Sequence, residues 1–219
     1  MRRSNRSRVY PQPLSPPDHT PPAQATVIAV FPVEITGTRV TLREFRADDL
    51  DASMAVVGDP DVTRSLSFDV RSRDDQSERL AADITRAQTE PRPDYYLAIA
   101  NRDDLLIGFV RIGFGRDRSG ELGYAVRRDD WGRGYASEAA ALMIQFGFDT
   151  LRLHRIQAAC GPDNYASQRL LARLRFLPEG RIRDHVFTNN AWRDSLLYSV
   201  LEHEWRSESS TKAGETQRA

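Results

Sequence analysis

Two glycines, Gly132 and Gly134, sit in the run WGRGYA (131–136). An alternating apolar stretch, ELGYAV (121–126), precedes them and a long alanine-rich segment follows. Glycines at this spacing let the backbone turn tightly and leave no side chain over the amides. The following segment predicts a helix, so several unpaired N–H groups open into one small volume. Such a volume seats an anion, a phosphate above all. The run is not a P-loop, because it lacks the G-K-[ST] ending and its lysine. It is not the dinucleotide fingerprint either: Ser137 stands where the third glycine belongs, and the acidic residue about 20 positions on is missing.

A second constellation lies in GPDNYASQRLLARLRF (161–176). Asn164 and Ser167 are three apart and share one face at a helix start. Capping alone would also explain them, since both residue types favour helix starts. The one cysteine, Cys160, falls on an apolar strand and reads as core rather than nucleophile. The four histidines, His19, His154, His185 and His203, form no ligand pair at metal spacing, so no metal site is expected. Trp192, Tyr198 and Trp205 read as packing residues.

Strands and helices must position these groups. TRVTLREF (38–45) alternates as a strand does. Asp48 and Asp49 stand where helix N-caps belong, ahead of LDASMAVV. Ser72 with Asp75 opens a helix over about 73–89, ahead of Pro91 and Pro93. Strands are expected over 95–100, 106–114 and 121–126, a long helix over about 135–150, a strand over 155–160 and a helix over 164–174. Two final strands, 181–188 and 192–201, are joined by Asn189 and Asn190. The order predicts a mixed α/β fold, a mostly antiparallel sheet of six to seven strands flanked by about four helices. One central βαβ unit is expected, with hairpins on both sides.

The chain has 219 residues, 40% hydrophobic and 28% charged, which suits one globular domain. Thirty-one basic residues balance 31 acidic ones, so no general nucleic-acid binder is indicated. Lys212 is the one lysine. Residues 1–29 carry six prolines and few aliphatic side chains and read as a disordered arm. The domain is expected over 30–206 and a polar tail over 207–219. No apolar run reaches 18 residues and no apolar segment follows the basic N-terminus. With a single cysteine, these features suggest a cytoplasmic protein without a membrane span.

The run from Glu121 to Phe176 resembles the acetyl-CoA site of the GNAT superfamily of N-acetyltransferases, whose signature is R/Q-x-x-G-x-G/A after a strand. ELGYAVRRDDWGRGYASEA, the NYASQRLLARLRF helix and WRDSLLYSVLEHEW are similar to the ribosomal-protein alanine N-acetyltransferase branch. The first signature position is Trp131 here, which leaves the backbone cradle intact but removes a side-chain donor. The resemblance implies a sheet splayed between ELGYAV and RIQAAC, with the pantetheine in the gap. It implies that amides of Gly132, Arg133, Gly134, Tyr135 and Ala136, with Ser137, hold the CoA pyrophosphate, Arg133 adding charge. Backbone groups of Tyr124 and Val126 would pair with pantetheine amides as a false neighbouring strand. The Val126 N–H would steady the thioester oxygen. Ser167 matches the proton donor to the thiol, with Asn164 orienting it or the pantetheine. Glu121 is the carboxylate for the amine side, though an edge-strand surface charge would look the same.

The acceptor would be read by segment 58–69 and by the 188–192 turn, with Arg64 and Phe68 foremost. An α-amine, with a pKa near 8, is about a tenth neutral at pH 7, while a lysine amine is far less so. One carboxylate therefore suits an α-amine, such as a ribosomal-protein N-terminus. An amino acid, polyamine or aminoglycoside stays open, because Asp59, Asp61 and Asp69 lie near. So does a sensor that binds acetyl-CoA without turnover. Monomer and homodimer are both compatible with the sequence.

Overall fold

The computed structural model describes residues 31–207. The arm expected over 1–29 and, beyond Ser207, the polar tail lie outside the described residues. The chain runs β1 (Glu34–Thr36), β2 (Thr41–Arg43), α1 (Leu50–Val57), α2 (Pro60–Thr63), α3 (Arg73–Ala87), β3 (Asp94–Ala100), β4 (Leu106–Phe114) and β5 (Ser119–Val126). There follow α4 (Tyr135–Asp149), β6 (Arg155–Cys160), α5 (Tyr165–Arg173), β7 (Leu177–Thr188) and β8 (Ala191–Leu201). Helical residues 202–207 end the described chain.

The strands form one eight-stranded sheet in the order β1-β2-β3-β4-β5-β6-β8-β7. Only the central β5–β6 pair is parallel, as a strand–helix–strand crossover through α4 requires. The expected mixed, mostly antiparallel architecture is present. Beyond the expected elements stand β1, a three-residue edge strand, and the single-turn α2.

Alternation along the strands divides the core in two. On one face Leu122, Val126, Ile156 and Cys160 meet Met143, Ile144 and Phe148 of α4 and Leu170 and Leu171 of α5. Met143, Ile144, Phe148 and Ile156 are fully buried, and each such side chain contributes about 1.5–3 kcal/mol. On the other face Ala98, Phe109 and Ala125 meet Val56 and Val57 of α1 and Val62 of α2.

Local chemistry sets the element ends. Ser72 caps α3 by accepting the Asp75 N–H at 3.1 Å. Asn189 and Asn190, at φ of +51° and +56°, make the two-residue β7–β8 turn. The acidic pair before α1 departs from expectation. Asp49 occupies the N-cap position but makes no side-chain cap bond. Its carboxylate instead takes the buried Arg43 guanidinium at 2.8 and 2.9 Å and the Arg46 N–H. A buried guanidinium needs a paired anion more than a helix end needs a cap.

Candidate active site

The sheet opens at its centre. β5 and β6 are in register only over Ser119, Gly120 and Glu121 with Arg155, Ile156 and Gln157. Beyond that point β5 stays with β4 up to Val126, while β6 pairs with β8 up to Cys160. The Gly115 N–H donates to Ser119 C=O, and the Arg127 N–H to Ile107 C=O, each at 2.8 Å. Odd-numbered β5 residues therefore bond toward β4. Backbone alternation turns the polar groups of Leu122, Tyr124 and Val126 into the gap. One of these is taken: Val126 C=O accepts the Trp131 indole N–H at 2.8 Å. Trp131 thus braces the strand end, with its ring half exposed.

The helix α4 starts beside the gap. Gly132 and Gly134 lie at φ of +76° and +79°, a region that side chains disfavour. Gly134 is the N-cap, and the Glu138 N–H reaches back to its carbonyl at 3.1 Å. The N–H groups of Tyr135, Ala136 and Ser137 precede the first intrahelical bond and are free to meet an anion. Arg133 is exposed and pairs with the buried Asp130 at 3.2 Å, which offsets part of its charge. Two further cations lie here that the sequence did not reveal. The Arg39 guanidinium donates to Arg133 C=O at 2.9 Å, and Arg173 of α5 reaches Ser137 Oγ at 3.4 Å. Both come from remote segments, and no local spacing marks them.

Across the gap, Asn164 is the N-cap of α5, and its Oδ1 accepts the Ser167 N–H at 3.1 Å. Capping therefore belongs to Asn164, which leaves the Ser167 hydroxyl free for other work. That hydroxyl lies 2.7 Å from the Tyr124 phenol oxygen. Burial pushes the phenol well above its ordinary value, against the opposing effect of the Ser167 hydrogen bond. Tyr165, two positions before Ser167, is exposed. Cys160 is buried, and burial pushes its thiol up to about 11, so it is a core group and no thiolate nucleophile. Glu121 is exposed and projects to the opposite face of β5 from Tyr124. A side chain at Gly123, next on that face, would meet nothing within 4 Å. The gap thus presents hydroxyls on one side and a carboxylate beside open space on the other.

The acetyltransferase (GNAT) domain family matches residues 39–177. The chain belongs to the GNAT acetyltransferase family. It is 31% identical over 169 residues to the uncharacterized N-acetyltransferase p20 of Bacillus licheniformis, covering 76% of this chain and 95% of that one. The [ribosomal protein uS5]-alanine N-acetyltransferase of Escherichia coli is 36% identical over 84 residues, 38% of this chain and 43% of that protein. Among solved structures, Mycobacterium smegmatis RimJ in complex with CoA-disulfide is 26% identical with a TM-score of 0.71, covering 84% of this chain and 96% of that one. The protein is accordingly an acetyl-CoA-dependent N-acetyltransferase.

In this GNAT domain the two segments expected to read the acceptor do meet. The Asn189 N–H donates to Asp69 Oδ1 at 2.8 Å, and Arg193 holds the carbonyls of Arg64 and Leu66. Phe68 is half-buried, with the Arg71 guanidinium 4.1 Å over its ring; Arg64 is exposed. The nearby acids are engaged. Asp59 accepts the Asp61 N–H, Asp61 pairs with Arg128 and Arg64, and Asp69 takes Asn189. Among the described residues no cluster could hold a metal ion, and no helix is long and apolar enough to cross a membrane.

Proposed function

We propose that this GNAT enzyme acetylates the α-amine of a protein N-terminus, of the ribosomal-protein kind. One observation carries the reading: Asp61 is neutralised by Arg128 and Arg64, while Asp59 and Asp69 are each tethered to a backbone N–H. The acceptor wall then offers a polyamine or aminoglycoside tethered carboxylates set among arginines rather than a free acidic cluster, and Glu121 remains as the carboxylate at the gap. A single carboxylate suits an amine whose pKa is already near 8. The likeness to the uS5-alanine enzyme supports the same class. The reading is of a cytoplasmic enzyme.

In this reading the amides of Gly132 to Ala136 and Ser137 hold the CoA pyrophosphate, with Arg133 and Arg173 adding positive charge. The gap-facing groups of Tyr124 and the N–H of Val126 bond to the pantetheine and thioester. Glu121, directly or through a water, takes the proton that the attacking amine releases. The new N–C bond forms on the Glu121 side as the C–S bond breaks on the Ser167 side. Asn164 fixes the helix turn that presents Ser167, and the Ser167 hydroxyl donates to the departing sulfur. As Ser167 gives its hydrogen to the sulfur it takes one from water, and Glu121 passes to water the proton it took from nitrogen, so both side chains are restored.

Thiol release from acetyl-CoA tests the acceptor class. The panel is a peptide with a free N-terminal alanine, the same peptide blocked there but carrying one lysine, spermidine, and an aminoglycoside. Turnover confined to the free N-terminus is expected. Faster release with spermidine or the aminoglycoside overturns the proposal.

A further inference from the structure

The hydroxyls of Tyr124 and Ser167 are 2.7 Å apart, and each carries one hydrogen. Two arrangements exist. If Ser167 donates to the phenol, its hydrogen is spent and nothing is left for a sulfur. If the phenol donates to Ser167, the serine hydrogen is free to turn into the gap. A phenol is a far stronger acid than an aliphatic alcohol, so it is the better donor in such a pair. The surroundings favour the same direction. The backbone N–H of Ser167 is bonded to Asn164 Oδ1, so the helix turn that carries its Oγ is fixed without help from the hydroxyl hydrogen. Tyr124 comes from β5, the strand whose backbone lines the gap, and packs against the α4–α5 core.

Resting on the acetyl-transfer reading above, we propose that Tyr124 is a positioning residue for Ser167. Its phenol donates to Ser167 Oγ and so reserves the serine hydrogen for the departing thiolate. Burial keeps the phenol protonated, so it stays a donor throughout the cycle and no phenolate forms. Donation into Ser167 Oγ also polarises the serine O–H and strengthens it as a donor to sulfur. Tyr124 thus has two parts in the site: its backbone faces the cofactor gap, and its side chain orients the group across it.

A double-mutant cycle of Tyr124→Phe and Ser167→Ala tests this, with acetyl-CoA and the free N-terminal alanine peptide as probes. Tyr124→Phe removes one oxygen and keeps the ring. We expect kcat to fall about 3- to 10-fold, the weight of one hydrogen bond. The KM for acetyl-CoA should be unchanged, and the loss should vanish in the Ser167→Ala background. A purely packing role would instead lower the melting midpoint and slow both backgrounds equally. Wild-type kcat in Tyr124→Phe, or additive losses, overturns the Tyr124 assignment alone. Wild-type kcat in folded Ser167→Ala overturns the serine reading and this proposal with it.

Discussion

Arg39 and Glu138 meet twice across 99 positions of sequence: the Arg39 N–H donates to Oε1 and its guanidinium to Oε2, both at 2.7 Å. Burial pushes the Glu138 carboxyl up, but the Arg39 N–H and guanidinium and the Thr38 N–H outweigh it and hold the group below its ordinary value. The pair pins the first turn of α4 to the β1–β2 turn. It also parks the Arg39 guanidinium over Gly134, where a Cβ would stand 2.8 Å from Nη1.

That arrangement ranks two substitutions. Gly132→Ala adds only the cost of a side chain at positive φ, about 1 kcal/mol, because nothing lies within 4 Å of its Cβ. Gly134→Ala adds the same cost and also displaces Arg39 from the anion seat. Calorimetry should show acetyl-CoA affinity falling more in Gly134→Ala than in Gly132→Ala. Equal losses would mean that Arg39 does not help to hold the cofactor.

Asn164 and Ser167 should separate fold from rate. Asn164→Ala loses the α5 cap and about 1 kcal/mol of stability. Ser167→Ala keeps the cap but leaves the buried Tyr124 phenol without its partner, so it should cost a similar ~1 kcal/mol while kcat falls roughly 10 to 10⁴-fold in the folded protein. Acetyl-CoA affinity, measured on the same preparation, should be unchanged in Ser167→Ala.

Glu121→Gln should lower kcat/KM for the N-terminal peptide by roughly 10- to 100-fold at pH 7. The deficit should shrink as pH rises past the amine's own pKa near 8, since the acceptor then arrives already neutral. A deficit that stays constant from pH 7 to pH 9.5 would exclude proton removal as the role of Glu121.

Glu179 gives a stability signature at acid pH. Hydrogen bonds from Arg155, then from Ser199, hold its carboxyl at about 2, against a slight opposing effect of burial. A carboxyl lowered in the folded state stabilises above its ordinary 4.5 and loses that contribution as pH falls toward 2. The site is partly exposed, so the effect should be about 1 kcal/mol or less. Urea unfolding of Glu179→Gln and wild type should differ at pH 7, with the difference shrinking below pH 4.5 and vanishing only as pH falls through 2.

The parts of this molecule legible in sequence are those with local causes. β4 and β6 run over the expected residues: β6 alternates without a break, and β4 is a run of apolar residues and glycines in which Arg111 is the one charge. α4 starts at the expected Tyr135 because Gly134 sets it. β7 begins at Leu177 rather than Arg181, since Pro178 and Gly180 interrupt the pattern at a register shift. β1 was not legible because three residues between Pro32 and Gly37 show no period. At the site, the glycine turn and the Asn164–Ser167 pair were visible as spacing. The Tyr124–Ser167 bond spans 43 positions and the Arg39–Glu138 pair 99, and no local rule reports either.

The three rungs joining β5 to β6 make the sheet, mechanically, two plates on a short hinge. One plate is β1 to β5 and the other is β6, β8 and β7. Above the hinge, side chains such as Tyr124 and Ser167 span the opening where backbone bonds would be. A molecule bonded to the backbone of Tyr124 and Val126 and touching α5 would brace one plate against the other. Occupancy then becomes a matter of stiffness: amide exchange in the upper part of β5 and the first turn of α5 would slow together, while the β1–β2 edge would not register the change.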